Sequence, residues 1–366
     1  MNSYINAVGK ATAPYRVKQA HIADFMCETL QLSPEKQREL KVLYRATGIN
    51  YRYSAIKDFG NSRGNFSFFP NEKNANQPGV SSRMDLYKET APKMAFEAIS
   101  NCFEGFEGYG LKDITHIITI SCTGLYAPGL GIEIINHFGL NKTIQRTGVN
   151  FMGCYGAFNG LKVADNICRA NPEANVLMVS VELCSIHFQD STAPDDLLAA
   201  SLFADGSAAA LLSSKAISGS LKVESFHCDL NTEGIDEMAW DIGDTGFNMR
   251  LSQYIPELVG DGIPSLVENL FSGHNIRLDD ISHYAIHPGG KRILQKTEEV
   301  LEIKREKNKF AHEVLREYGN MSSATVLFVL DAVLQEIGKT EKKGNVLSMA
   351  FGPGLTLESA FFKYVP

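Results

Sequence analysis

The chain has 366 residues, enough for a large hydrophobic core in two domains or in one domain of two parts. The apolar fraction of 44% and the charged fraction of 21% are typical of a globular protein. The net charge is −7 and the sequence has no long basic run, which argues against nucleic acid as a partner. The seven cysteines show no C-x-x-C spacing, which argues against a disulfide framework. No apolar run is long enough to span a membrane, and the N-terminus is unlike a secretory signal. We therefore expect a cytoplasmic protein.

Helices and strands alternate along the first half of the chain. Apolar periodicity and the flanking Gly and Pro residues predict their bounds. Pro92 lies inside the longest helix and predicts a kink or a break there. The predicted elements are a strand over 4–8, helices over 18–30, 40–46 and 84–103, an irregular loop over 58–82, and strands over 116–122, 176–181 and 207–212.

The second half repeats this order of elements. It is predicted to contain a strand over 222–230, a helix over 266–271, a strand over 284–286, a charged helical stretch over 298–316, an apolar helix over 321–337 and a strand over 346–350. The alternation predicts an α/β protein in layers, and the shared order of strand, helix and strand indicates an internal duplication. We assign the two halves to residues 1–217 and 218–366.

A single cysteine lies among small residues at the predicted junction of a strand and a helix. Gly153 and Gly156 flank Cys154, and helical spacing follows it as far as Arg169. The free N–H groups and the dipole at a helix N-terminus stabilise a thiolate, so this position favours a nucleophile. The alternative is a structural cysteine, because free cysteine is among the most buried residue types.

Two further side chains stand where a predicted strand or loop meets a helix. His287 ends an apolar strand before Pro288 and two glycines, and Asn320 precedes the helix over 321–337. Each has a structural alternative, because a strand-end histidine is often a satisfied structural residue and asparagine is a favoured N-cap. Together with Cys154 they form a set suited to acyl transfer, since a thiolate needs an imidazole partner and an amide with an imidazole N–H can hold an oxyanion.

None of these three motifs contains a carboxylate. This absence fits chemistry that needs no strong base to create a carbon nucleophile. Loss of CO₂ from a malonyl thioester is such a reaction, because decarboxylation itself generates an enolate. His287 and Asn320 would then donate hydrogen bonds to the thioester oxygen as negative charge develops on it.

Four motifs resemble the active-site motifs of the type III polyketide synthases, the chalcone-synthase-like family. They are GCYGAFNGLKVA, AIHPGGKRIL, YGNMSSATVLFVL and AFGPGLTLE. The resemblance implies that Cys154 carries the acyl group, and that His287 and Asn320 activate it and stabilise the enolate. It also implies a thiolase-like fold of two similar halves in five αβαβα layers, a homodimer, and acyl groups taken from coenzyme A without a cofactor or a metal.

The resemblance also assigns residues to the substrate pocket. Phe203 matches the family's gatekeeper phenylalanine, Met249 replaces the second gatekeeper, and Ala127 replaces the methionine that reaches across the dimer of the plant enzymes. These and other departures from the plant pattern favour a bacterial-type enzyme that makes pyrones, resorcinols or another small polyphenol. The remaining expected pocket residues are Cys122, Thr123, Cys184, His187, Gly289, Ser322 and Pro353.

Three basic residues are candidates for binding the phosphates of coenzyme A, carried by an acyl-CoA starter and by malonyl-CoA. Lys41 and Arg45 fall near the basic mouth of the family, and Arg292 follows the HPGG motif. The alternative for Lys41 and Arg45 is ordinary solvated charge on a helix.

Three other functions remain open. A fatty-acid-priming ketoacyl synthase has the same fold and catalytic set, but it usually carries Gln-Ala where this chain has Pro288 and Gly289. A papain-like cysteine protease has Cys, His and Asn in this order, yet the mid-chain nucleophile, the α/β pattern and the reducing compartment argue against it. A non-catalytic thiolase-fold binding protein is disfavoured because all three catalytic-type residues are present.

Overall fold

The computed structural model describes residues 2–72, 75–340 and 343–366, and the following elements lie within these ranges. The strands are β1 (Tyr4–Thr12), β2 (Tyr15–Lys18), β3 (Tyr51–Ser54), β4 (His116–Ser121), β5 (Gln145–Asn150), β6 (Asn175–Leu183), β7 (Asp205–Ser213), β8 (Leu221–Leu230), β9 (Met238–Gly243), β10 (Gly246–Leu251), β11 (His283–Ile286), β12 (Asn345–Gly352) and β13 (Thr356–Tyr364). The helices are α1 (Gln19–Thr29), α2 (Pro34–Ala46), α3 (Val80–Phe103), α4 (Leu130–Phe138), α5 (Gly156–Ala170), α6 (Pro194–Leu202), α7 (Ile255–Phe271), α8 (Lys291–Val300), α9 (Lys309–Tyr318) and α10 (Thr325–Thr340).

Most of the strands join one mixed sheet, in the order β11-β12-β13-β8-β1-β7-β6-β4-β5. A short antiparallel pair between β1 and β8 connects the strands of the first half to those of the second. Within the halves, β4 pairs in parallel with β5 and β6, and β11 pairs in parallel with β12. The loops that leave β5 and β11 carry Cys154 and His287.

Helices cover both sides of the two parts of this sheet. The helix α3 packs on β1, β6 and β7 from outside, and α7 packs on β8 and β13. Both α5 and α10 contact strands of the first half on one side and of the second half on the other. These two helices therefore form a central layer, which gives the five-layered αβαβα arrangement that the resemblance predicts.

Local sequence explains why these elements form. The strand β6 is an almost continuous apolar run because α3 and α5 bury both of its faces. The helix α2 begins at Ser33, whose hydroxyl accepts a hydrogen bond from the backbone N–H of Lys36, and it buries only Leu40 and Tyr44. Across the described ranges, no helix combines the length and the apolar character that crossing a membrane would need.

Three predicted helices differ from the structure. Pro92 does not divide α3, because packing on three strands holds the helix through the missing hydrogen bond. The stretch over 298–316 is interrupted between α8 and α9, where buried Leu301 turns the chain into the core. The helix predicted from Met321 begins at Thr325, after a 3-10 turn over Ser322–Ala324.

Candidate active site

Cys154 lies in a sharp turn between β5 and α5, as its neighbours in the sequence predict. Gly153 has a φ of 72°, in the left-handed region, and a Cβ atom at this position would overlap Pro353. A 3-10 turn over Gly153–Tyr155 then leads into α5, which places Cys154 just before the helix N-terminus. Cys154 is 8% exposed and lines a large cavity.

His287 follows β11 directly. Its backbone N–H donates to the carbonyl of Met349 over 2.8 Å, which extends the pairing with β12 by one residue. The residue is 1% exposed, and neither ring nitrogen has a hydrogen-bond partner among the residues that the structure describes. Because buried polar groups are almost always paired, an imidazole that lines a cavity in this state is available to a substrate.

Asn320 brings the third motif to the same place. Its side-chain amide Nδ2 donates to the carbonyl of Gly289 over 3.2 Å, and its Oδ1 accepts from the backbone N–H of Ser322 over 2.9 Å. Both side-chain atoms lie 4.0 Å from Cys154 Sγ. The amide therefore caps the following turn and also faces the thiol, so the structural and functional alternatives are compatible.

Burial acts on the pKa of both reactive side chains. It raises the pKa of the Cys154 thiol to about 12, although hydrogen bonding to Ser322 and Asn320 acts in the opposite direction. Burial likewise lowers the pKa of His287 to about 3. Desolvation therefore opposes the helix N-terminus, which favours the thiolate. A thiolate at Cys154 stays a prediction.

The cavity has a volume of about 1170 Å³ and brings most of the expected pocket residues together with the three catalytic candidates. Ala127 does not line it and lies in an exposed loop before α4. The residues from the sequence that do line the cavity are Cys122, Thr123, Cys184, His187, Phe203, Met249, Gly289, Arg292, Ser322 and Pro353.

Lys41 and Arg45 do not reach the cavity. The residues of α2 that line the cavity recur every three or four positions and include Lys36, Glu39 and Leu43. Position 41 lies on another face, where the Lys41 ammonium pairs with Asp24 over 2.7 Å. A phosphate contact of Lys41 and Arg45 therefore stays a prediction without support from the cavity lining, whereas Arg292 and its neighbour Lys291 do line the cavity.

A buried carboxyl group that the sequence analysis missed stands behind the cavity wall. Glu182 is fully buried and accepts hydrogen bonds from Thr123 Oγ1 over 2.8 Å, from the backbone N–H of Cys122 over 3.0 Å and from the Ser323 hydroxyl. The Cys122 thiol lies 3.2 Å from both Glu182 Oε1 and Ser322 Oγ. Burial raises the pKa of Glu182. The sequence signal for Glu182 was a single charged residue within the otherwise apolar run of β6.

Two rings shape the wall opposite the catalytic residues. Trp240 Nε1 donates to the carbonyl of Cys122 over 2.6 Å. His187 Nδ1 accepts from the backbone N–H of Phe247 over 3.1 Å, which leaves Nε2 to donate to the carbonyl of Thr123 over 2.7 Å. Burial lowers the pKa of His187 to about 3. Because both of its ring nitrogens are hydrogen-bonded, His187 positions the cavity wall. It is therefore not available to a substrate in the way that His287 is.

Comparison with known proteins gives matches along almost the whole chain. The family model for the N-terminal domain of chalcone and stilbene synthases matches residues 2–216, and the model for their C-terminal domain matches residues 229–366. The alpha-pyrone synthesis polyketide synthase-like Pks18 of Mycobacterium tuberculosis is 29% identical over 364 residues, 98% of this chain and 90% of that protein. The crystal structure of PKS-I from the brown alga Ectocarpus siliculosus superposes with a TM-score of 0.89 at 29% identity, over 100% of this chain and 98% of that one.

A third relative is much longer than this chain. "Probable polyketide synthase 1" of Dictyostelium discoideum is 29% identical over 376 residues, which cover 100% of this chain but only 12% of that protein. The chain thus corresponds to a small part of this relative and to nearly the full length of the mycobacterial one.

Proposed function

The chain belongs to the chalcone and stilbene synthase family of acyl-transferring enzymes, and from this premise we propose that it is a type III polyketide synthase with Cys154, His287 and Asn320 as its catalytic residues. It would load an acyl-CoA starter, extend it with malonyl-CoA and cyclise the product to a pyrone, a resorcinol or another small polyphenol. No metal or cofactor is needed in this scheme, because loss of CO₂ supplies the carbon nucleophile.

Loading begins with attack of Cys154 Sγ on the carbonyl carbon of the starter thioester. The thiol proton moves to a ring nitrogen of His287, which is neutral because burial lowers its pKa to about 3. The C–S bond to coenzyme A then breaks, and His287 returns the proton to the departing thiolate. The products are acyl-Cys154, free coenzyme A and a neutral His287.

Extension uses the same two polar side chains on malonyl-CoA. When CO₂ leaves, the bonding electron pair remains as an enolate, and its oxygen accepts hydrogen bonds from the His287 N–H and from Asn320 Nδ2. The enolate carbon attacks the carbonyl of acyl-Cys154, Cys154 leaves as a thiolate, and a β-ketoacyl-CoA two carbons longer is formed. The thiolate takes a proton from water, which restores the Cys154 thiol for the next loading. Fixed donors in a water-poor site make the largest contribution to steps of this kind.

One observation carries this proposal. A buried imidazole, whose ring nitrogens find no hydrogen-bond partner within the described ranges, lines the same cavity as an asparagine amide 4.0 Å from a cysteine sulfur. The test is incubation of the purified protein with malonyl-CoA and a panel of acyl-CoA starters, followed by mass spectrometry. We expect CO₂ release and products whose masses equal the starter acid plus a whole number of C₂H₂O units, less water for a pyrone and less water and CO₂ for a resorcinol. Failure of every CoA thioester, with turnover of malonyl groups on an acyl carrier protein, would instead identify a ketoacyl synthase.

Two cations at the first positions of α8, Lys291 and Arg292, are among the residues that line the cavity. Lys291 is half-buried, Arg292 is exposed, and the first turn of this helix has no acidic residue. Positive side chains and a helix N-terminus together attract phosphate. We therefore propose that these residues, rather than Lys41 and Arg45, bind the phosphates of coenzyme A.

Replacing both Lys291 and Arg292 by glutamine is expected to raise the KM for malonyl-CoA roughly three- to tenfold with little change in kcat, since exposed charge pairs contribute modestly. Steady-state kinetics with malonyl-CoA and with the N-acetylcysteamine thioester, which has no phosphate, separates the two effects. Only the CoA substrate should respond, and Lys41→Gln should leave both unchanged. An equal loss with both thioesters would contradict the phosphate contact.

The strand β5 stands at one end of the sheet, and almost all of its residues are exposed. An open sheet edge carries unpaired backbone groups that a second chain can satisfy. We propose a homodimer formed along this edge, with the Ala127 loop near the partner, and a cytoplasmic location for the protein. We also propose the division into halves at residues 1–217 and 218–366, which falls between β7 and β8. A single-chain mass in light scattering at micromolar concentration would contradict the dimer.

A further inference from the structure

The backbone of Asn320 is held by a short parallel bridge to the end of α6 and the residues after it. The N–H of Asn320 donates to the carbonyl of Leu202 over 2.9 Å, and its carbonyl accepts from the N–H of Ala204 over 2.8 Å. The carbonyl of Phe203, which lies between these two residues, takes no part in the bridge and needs another donor. The position of the Asn320 amide therefore depends on how firmly residues 202–204 are held.

Arg52, on β3, supplies that donor. Its Nη1 donates to the carbonyls of Phe203 and Ala200, each over 2.7 Å. Its Nε donates to Gln19 Oε1 over 2.8 Å, and Gln19 Nε2 donates in turn to the carbonyl of Ser201 over 2.8 Å. The carbonyl groups at the C-terminal end of α6 thus face a cation, which suits the negative end of the helix dipole.

The charge of Arg52 is buried and is directed at neutral groups. The residue is 5% exposed, and these three hydrogen bonds all go to uncharged oxygens. Burial lowers the pKa of Arg52, because desolvation disfavours the charged form. A buried cation costs free energy that its hydrogen bonds must offset, and bonds from a charged donor are about twice as strong as neutral ones. The guanidinium is therefore a firm support for residues 200–203.

A second contact joins Arg52 to the backbone that leads into Asn320. Gly319, the preceding residue, has a φ of 74°. A Cβ atom at Gly319 would lie 2.9 Å from Arg52 Cγ and 3.0 Å from the carbonyl oxygen of Leu202, which is too close for either contact. The hydrocarbon stem of Arg52 thus packs directly against Gly319, while its guanidinium holds the other side of the bridge.

We infer that Arg52 is a positioning residue, which sets the place of the Asn320 amide beside Cys154 through the Phe203 carbonyl and through Gly319. This inference rests on the proposed function, in which that amide holds the enolate. The same bonds fix Phe203, the expected gatekeeper, so the gate and the oxyanion donor share one support. Because a shift of about 1 Å in a positioned group can cost about 10²-fold in rate, loss of the guanidinium should lower kcat for malonyl-CoA decarboxylation about tenfold to 10²-fold with little change in KM.

The test is a double-mutant cycle on CO₂ release from malonyl-CoA, with wild type, Arg52→Met, Asn320→Ala and the double variant. Methionine removes the donors and keeps an unbranched stem against Gly319. Arg52→Met should lower kcat in the wild-type background but by less than about twofold once the amide is gone, because residues that act through one another are not additive. The matched control is Arg83→Met, since Arg83 is fully buried and also donates to backbone carbonyls, in the loop after β6. Its effect should be the same factor in both backgrounds.

Two kinetic results would overturn the inference. The first is an equal loss of kcat on Arg52→Met with and without the Asn320 amide, which would make Arg52 a structural residue only. The second is a raised KM with an unchanged kcat, which would mean that Arg52 contacts malonyl-CoA from the cavity wall. Arg52→Lys, which keeps the charge without the planar fork, is the second variant should Arg52→Met not fold.

If wild type releases no CO₂ from malonyl-CoA, the proposed function fails by itself. Crystal structures of wild type and the Arg52 variant then still decide the inference. A displacement of the Asn320 amide by about 1 Å in the variant would support it. An amide nitrogen that stays 4.0 Å from Cys154 Sγ, with residues 202–204 unmoved, would contradict it.

Discussion

Replacing Cys154 by alanine is expected to abolish polyketide formation, with a loss on the order of 10³- to 10⁶-fold, as for removal of other enzymic nucleophiles. The sulfur is the only protein atom in the proposed scheme that bonds covalently to the starter. Intact-protein mass spectrometry after incubation with hexanoyl-CoA should show one acyl adduct on wild type and none on the variant. Malonyl-CoA decarboxylation should persist in Cys154→Ala, because the enolate is held by His287 and Asn320.

Cys122 and Cys184 provide the matched controls for this experiment. Both are buried and line the same cavity, but burial raises the pKa of each thiol well above its ordinary value, and the Cys122 thiol is engaged with Glu182 and Ser322. Their serine variants should keep the acyl adduct and most of the turnover. An adduct on Cys154→Ala, or its loss in either serine variant, would show that the nucleophile is misassigned.

The placement of the three catalytic candidates could be predicted from sequence because local rules determine it. Gly153 at positive φ, the Pro-Gly-Gly turn after His287 and the cap at Asn320 each depend on a few neighbouring residues. Buried strands such as β6 are equally predictable from the sequence, since they are almost continuously apolar. The α/β layering also follows from the regular alternation of strands and helices, whereas the five αβαβα layers were implied by the resemblance to the family.

Features that depend on distant packing could not be predicted from the sequence. Contacts with three strands keep α3 intact through Pro92, and the sequence contains no local sign of them. The effect of burial on the pKa of Cys154 could not be anticipated, because the helix N-terminus is visible in the sequence whereas the burial that opposes it is not. The cavity wall includes residues near positions 22, 43, 59 and 188, whose proximity only the folded chain reveals.

Asn320→Asp is expected to slow the decarboxylation of malonyl-CoA by about 10²- to 10³-fold, the usual cost of removing one oxyanion donor. The aspartate keeps an oxygen that can accept from the backbone N–H of Ser322, as Asn320 Oδ1 does over 2.9 Å. It replaces the Nδ2 donor by a second oxygen and adds negative charge where the enolate forms. Asp and Asn are equally good caps, so a residue that serves only as a cap would tolerate this change.

The measurement is CO₂ release from malonyl-CoA alone, with the thermal midpoint recorded for each variant. Asn320→Ala serves as the comparison, because it removes the cap and the donor together and should lose rate and some stability. Asn320→Asp should lose rate and also some stability, since it keeps the cap bond but loses the donation to the Gly289 carbonyl and places a carboxylate at a position that is 1% exposed. If Asn320→Asp decarboxylated at the wild-type rate, Asn320 would be a helix cap only and the enolate would need another donor. An Asn320→Asp variant that is slow although folded at the assay temperature would assign its amide to the chemistry.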